Sequence, residues 1–301
     1  MTHKIKIILL VSALSQLTFA RIKDLETTRL QSSAGAGVGS ILLIEPIVLN
    51  PAPMAFFDKS AIYYQHSKGK IDSESELRQT ANTKYSEGKS HFFSLVDTSN
   101  ATKGAFAYQH QEEFQSKRKR YIGNMATVVS GDSAIGLNYR YTKDEIWDGR
   151  EKNTEKYHQA ALGVSHILSE QASMGLVIYD LGKAKATRDT KTFLGMQYMI
   201  SPRLYLLGDF GVNYRDNISS TAIWKAAVQV NFLASLFFRG GVYNDKSENI
   251  KGIGLGASWI GPKLAIDIAM KTSNPITDKG NTLLYNGEMV TDTSLSFSTH
   301  F

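Results

Sequence analysis

From Ser60 to Phe301 the chain is a succession of segments of about ten residues in which apolar and polar side chains alternate, joined by links that are short and long by turns. Ile135, Leu137, Tyr139 and Tyr141 oppose Ala134, Gly136, Asn138 and Arg140, and Trp224, Ala226, Val228, Val230 and Phe232 oppose Lys225, Ala227, Gln229 and Asn231. A period of two is that of a strand with one greasy and one wet face, and no helix of the same residues reproduces it. The tight links are Ser130-Gly131-Asp132, Ser169-Glu170-Gln171, Ser201-Pro202, Leu233-Ala234 and Gly261-Pro262. Between them fall longer, charged ones, among them Lys68 to Lys89, Gln115 to Lys119, Lys143 to Glu155 and Ser273 to Val290. A soluble sandwich gives no reason for such alternation, whereas a barrel with short turns at one rim and loops at the other requires it.

No segment approaches the ~20 consecutive apolar residues of a membrane-spanning helix. In lipid a closed barrel is then the structure that satisfies its own backbone. The expected fold class is therefore all-β, a transmembrane antiparallel β-barrel of about 14 strands. It begins near Ser60 to Ser67, includes Ala172 to Leu181, and ends with Thr291 to Phe301. Tyr139, Tyr141, Tyr214, Trp224 and Tyr243 lie toward the long links, while Tyr198, Phe232, Trp259 and Phe301 lie toward the tight ones. Two such bands match the aromatic girdles at membrane interfaces.

The first sixty residues read differently. Lys4 and Lys6 precede a mostly apolar stretch from Ile7 to Leu17 and the small-residue pattern ending at Ala20, the form of a secretory signal peptide over residues 1–20. With no cysteine in the chain, a lipid-anchored N-terminus and cysteine-based chemistry are excluded. Residues 21–59 contain the run Ser32 to Ser40, rich in Gly35, Gly37 and Gly39, then Glu45 among apolar neighbours, then three prolines ending at Pro53. Proline denies such a stretch the middle of a sheet. On the expected parity, inward positions of residues 60–301 are small: Gly252, Gly254, Gly256 and Ser258 on one strand, and Ser294, Ser296 and Ser298 on its expected neighbour. Such a wall leaves space for residues 21–59, an N-terminal luminal hatch.

Taken together, the leader, the small-residue segment, Asn50-Pro51-Ala52 before the first strand, about fourteen strands and the terminal Phe301 resemble the fatty-acid-transporter superfamily of outer-membrane barrels, FadL-type and PorV-type proteins. The resemblance implies a bacterial outer-membrane location and Asn50, Pro51 and Ala52 at the junction of hatch and wall. It also implies a final strand, with Phe297 and Phe301, read by the barrel insertion machinery. The function it implies is passage or holding of a small molecule, hydrophobic if the likeness extends to the ligand, through a plugged lumen. The alternative is a non-transporting binding platform or scaffold for a protein partner. Relative to the transporters, the short charged links here depart from large ligand-capturing loops.

Charged residues supply the remaining expectations. Arg140, Asp209, Lys225, Arg239, Asp267 and Lys271 fall on inward parity and need partners in a dry lumen. Glu45 is the expected hatch partner of Arg239 or Lys225. Lys117, Arg118, Lys119 and Arg120 form the sharpest cationic run, placed where lipopolysaccharide phosphates would lie. A net charge of +6, two of it from the leader lysines, is too mild to suggest nucleic acid. His158 and His166 stand about 26 Å apart along one strand and cannot share a metal. No nucleotide-binding or hydrolase motif is present, so neither cofactor nor catalytic residue is expected.

Overall fold

A computed structural model describes residues 22–41, 47–72, 87–113, 116–147, 152–182, 190–276 and 289–301; the expected leader and Glu45 lie outside these residues. Fourteen antiparallel strands close into one barrel. The first seven are β1 (Ala61–Asp72), β2 (Glu87–Asp97), β3 (Thr102–Glu113), β4 (Ser116–Ser130), β5 (Ser133–Trp147), β6 (Lys152–Ser169) and β7 (Ala172–Ile178). The second seven are β8 (Lys191–Ser201), β9 (Leu204–Asn213), β10 (Ile223–Leu233), β11 (Leu236–Asp245), β12 (Ile250–Ile260), β13 (Leu264–Pro275) and β14 (Met289–His300).

Each strand pairs with its neighbours in sequence, and β14 pairs with β1 from Ala61↔His300 to Asp72↔Met289. Beyond that ladder Ser60 and Phe301 exchange both backbone bonds, at 3.1 and 3.0 Å, so the chain's last residue completes the seam. Large apolar side chains such as Leu137, Leu255 and Ile268 are exposed on the outer face, while Gln65, Ser94, Gln109, Asn138 and Ser296 are buried on the inner one. An apolar exterior with a polar interior is the arrangement a bilayer imposes on a barrel.

Several sequence expectations are corrected. Strand β4 begins at Ser116, and β5 and β6 extend to Trp147 and Lys152, absorbing most of the links expected at Gln115 to Lys119 and Lys143 to Glu155. Charges there pair across strands, as in Lys117 with Glu112 at 2.7 Å, and so support the ladder instead of ending it. Strand β7 stops at Ile178, short of Leu181, where Asp180 takes a φ of 52°. Tyr243 is buried on the inner face and belongs to no outer girdle. The glycine strand β12 and the serine strand β14 are not neighbours, because β13 runs between them.

The outer face generates a direct prediction. Leu255 sits mid-strand and half exposed on β12, so Leu255→Arg should destabilise the folded barrel by about 2–4 kcal/mol. Urea titration in lipid vesicles measures this, and an unchanged midpoint would contradict the lipid-facing assignment.

Candidate functional site

Residues 22–41 and 47–57 lie against inward-facing side chains around the barrel. Near the long links, Lys23 donates its backbone N–H to Glu113 and its ammonium to Asp292, each at 3.1 Å. Burial works against that ammonium, but Asp292 and Glu113 outweigh it and hold its pKa above the ordinary lysine range. Both carboxylate oxygens of Glu26 accept from Lys271, at 2.8 and 2.7 Å. A one-turn helix, α1 (Thr28–Ser32), follows, capped by the Thr27 hydroxyl accepting from Leu30 N–H. From it Arg29 donates to Asp267 at 2.8 Å, with both side chains 1% exposed. Ser258 and Ser296 also donate to Asp267, and Arg239 lies 3.8 Å from it, so one carboxylate serves two guanidinium groups.

After α1 the chain turns through Ala34, Gly35 and Gly37, whose φ values are 54°, 82° and 153°. Glycine occupies two of these positions because it alone enters such regions without steric cost. Lys225 donates to the Gly35 carbonyl at 3.2 Å. Asp209 accepts from Gly37 N–H at 2.8 Å and from Val38 N–H at 3.1 Å. The backbones of Gly39 and Gly195 are in contact: a Cβ on Gly39 would stand 2.6 Å from the Gly195 carbonyl. Further along, Arg140 donates to Val48 O at 2.9 Å and Asn138 to Ile47 O at 3.0 Å.

Asn50 ties the two halves of the segment together. Its amide donates to Val38 O at 2.9 Å and to Val164 O of β6 at 3.1 Å, while its carbonyl oxygen accepts from Ala52 N–H. Pro51 then starts the 3-10 helix Ala52–Phe56, which lies on Ala126 and Ala134 at the tight-link end. The wall is cut to fit. Glycines at 136, 163, 175, 195, 241 and 254 face this segment, and any Cβ there would collide with it.

Above the segment, in the barrel half nearer the long links, is a cavity of about 240 Å³. Its floor includes Asp24, Glu26, Leu30 and Gly35, and its wall includes Arg140, Tyr179, Phe193, Lys225, Tyr243 and Lys271. Each ring is faced by a cation: Lys271 stands 4.2 Å from the Tyr243 centroid, Lys225 5.1 Å from Phe193, and Arg140 5.2 Å from Tyr179. Tyr179 and Phe193 meet edge to face at 6.1 Å. The chamber thus offers aromatic surface and fixed charge side by side, which suits a small molecule having both an apolar body and a polar end.

All six charges expected on inward parity face inward. Arg140, Asp209, Lys225 and Lys271 bond the N-terminal segment, Asp267 holds Arg29, and Arg239 donates to Gln229 at 2.7 Å and to Ser258. The cationic run divides. Lys117 and Lys119 are exposed outside, but Arg118 and Arg120 are buried inside and are corrected as candidates for lipid contact. Arg118 makes a two-pronged bond to Asp144 at 2.8 and 2.7 Å, and both arginines reach Asp24, at 3.4 and 3.2 Å. Consecutive cations hid the strand alternation that separates them, though four residues of strict i, i+2 parity would have revealed it. His158 accepts or donates with Tyr139 Oη at 2.6 Å outside, and His166 with Ser133 Oγ at 2.8 Å at the opposite end of β6. Phe297 and Phe301 are exposed on the outer face near the seam.

No protein-family model and no curated protein sequence matches the chain. Solved structures do. The Ralstonia pickettii toluene transporter TbuX is 9% identical, with a TM-score of 0.69 over 92% of this chain and 98% of that one. The fold is that of the FadL-type outer-membrane barrels. The CymD monoaromatic hydrocarbon channel is 12% identical, with a TM-score of 0.68 over 90% of this chain and 96% of that one. A Pseudomonas aeruginosa FadL homologue is 12% identical, with a TM-score of 0.60 over 94% and 99% of the two chains. Such identities relate the FadL-type barrels to this chain by fold. Those structures are described as channels and transporters, not enzymes.

Two buried carboxylates should control how firmly the N-terminal segment is held. Asp267→Ala leaves the Arg29 guanidinium without this carboxylate and should destabilise the protein by about 3–5 kcal/mol in urea titration. Asp209→Asn retains shape but weakens the grip on Gly37 and Val38. Limited proteolysis should therefore cut near residue 36 faster in Asp209→Asn than in wild type, and equal rates would contradict the anchoring role.

Proposed function

We propose that the protein admits a small molecule from the long-link face of an outer-membrane barrel and holds it above a plug formed by the N-terminal segment. The observation that carries this reading is the chamber of about 240 Å³ floored by that segment and walled by Tyr179, Phe193 and Tyr243 with their cations. The neighbouring structures described as carrying toluene or monoaromatic hydrocarbons support a ligand with an apolar body. The charges here favour an amphipathic molecule over a pure hydrocarbon, because an apolar solute gives Arg140, Lys225 and Lys271 nothing in return for displaced water.

Onward passage needs either the plug to shift or the wall to part. Gly35 to Gly39 supply backbone freedom for the first. For the second, the β6–β7 register among the described residues ends at Leu162↔Ile178, with one further bond from Leu181 N–H to Ala160 O at 2.9 Å, while β6 continues to Lys152. Ala160, Ala161 and Tyr179, beside this short ladder, line the chamber, which supports a sideways exit there. The dense bonding of the segment to the wall favours a second reading, a closed platform that carries a protein partner and transports nothing.

Planar-bilayer recording separates the two. Wild type should be closed to ions, and deletion of residues 21–53 should open a steady conductance, with the wild-type protein retaining an amphipathic ligand through purification. A protein partner recovered with a barrel that holds no ligand would instead support the platform and overturn the proposal.

A further inference from the structure

The outer surface of β3–β6 carries a second hollow, of about 250 Å³, lined by His110, Glu112, Lys117, Lys119, Lys143, Glu145 and Lys152. Strand register builds it: His110 stands opposite Lys119, Lys119 opposite Lys143, and Lys143 opposite Lys156. Like charges placed directly across a ladder repel and destabilise it, so the arrangement calls for counter-charge. Glu112 is engaged by Lys117 at 2.7 Å, and Glu145 by Lys143 at 2.9 Å and by Lys152. Lys119, in the middle of the row, has no carboxylate partner among the described residues. Four lysines against two carboxylates leave an excess of positive charge in a hollow, which a group with several anionic oxygens would neutralise.

Position on the barrel decides what bears that group. One register step nearer the apolar belt, Tyr108, Tyr121, Tyr141 and His158 stand in a row across the same four strands. Their ring centroids are 5.1, 6.3 and 4.9 Å apart in turn. A row of amphipathic rings on the outer face marks the headgroup level of a bilayer. The lysines lie just beyond it, near the long links, where lipid phosphates sit. On the far side of the barrel, the outward row toward the same rim runs Phe210, Trp224, Asn244 and Lys251, with one cation in place of a cluster.

We propose that this hollow is a binding site for the phosphate of an outer-leaflet lipid, with Lys119 as its principal ligand, Lys143 beside it across the ladder, and Lys143, Lys117 and Lys152 each held ready by a glutamate. The lipid's acyl chains lie below, against Tyr121 and Tyr141. The site is one-sided, and it fixes a preferred lipid neighbour along β3–β6.

The test uses the full mature protein, purified in detergent and exchanged into bicelles of phosphatidylcholine containing phosphatidic acid, with native mass spectrometry counting retained lipids. Lys119→Gln/Lys143→Gln removes two exposed charges and should weaken phosphatidic acid retention by more than about tenfold. Lys251→Gln, on the outer face of β12, should leave it unchanged. Lys119→Arg should retain binding. Equal retention by the double variant and wild type would overturn the proposal, as would an equal loss in Lys251→Gln, which would mean a general surface-charge effect. Retention that survives the double variant but is lost on removing a co-purified protein would overturn it in favour of a protein ligand.

Discussion

In a bilayer every backbone N–H and C=O must find its partner within the protein, and this one requirement fixes the fold. A sheet of thirteen ladders would leave two bare edges in lipid. The fourteenth ladder, between β14 and β1, removes them, and the mutual bonds of Ser60 and Phe301 carry pairing to the last residue. Closure then sets parity. Once the seam is in register, alternate residues on every strand must face lipid or lumen, and the polar ones acquire an interior to fill.

What fills it is shaped by two opposite properties of the inner wall. Glycines at 136, 163, 175, 195, 241 and 254 withdraw side-chain bulk where residues 22–41 and 47–57 lie closest. Between them, Asp209, Asp267, Lys225 and Lys271 reach inward to meet backbone amides, a carbonyl or an opposite charge. Burying such charges is costly without partners, so the segment and wall are mutually dependent. The chamber opens above the segment, with Asp24, Glu26, Leu30 and Gly35 in its floor. Arg140, Lys225 and Lys271 on its walls are the same groups that fasten the segment below.

Much of this was legible in the sequence, for a physical reason. A two-residue period and alternating link lengths are global consequences of closure, so they survive errors of a few residues at any boundary. That is why strand number and the inward placement of Arg140, Asp209, Lys225, Arg239, Asp267 and Lys271 could be read from parity alone. The Asn50 junction was visible as a motif, but its double grip on Val38 and Val164 was not. Sequence reading failed where the decisive partner lies far along the chain. Arg118 and Arg120 looked like solvent-facing loop cations because Asp24 and Asp144, which draw them inside, are distant in sequence. Tyr243 was placed with the outer aromatics, although pairing with Gly252 on an inward row puts it in the lumen. The early end of β7 depends on the positive φ of Asp180, which composition does not announce.

The seam is the part of the structure on which the rest stands, and the absence of native cysteine makes it directly measurable. Ser67 and Ser294 face each other across it, on the inner face. Counting from the doubly bonded pair Ser60 and Phe301, they form a non-hydrogen-bonded pair, whose close Cα spacing of about 4.5 Å accommodates a disulfide. A Ser67→Cys/Ser294→Cys protein, oxidised in membranes and then cleaved between β1 and β2, should run as one covalent species on denaturing gels until reduced. Two separate fragments without reductant would mean that the first and last strands are not partners, and the closed barrel, its lumen and the chamber within it would all be contradicted.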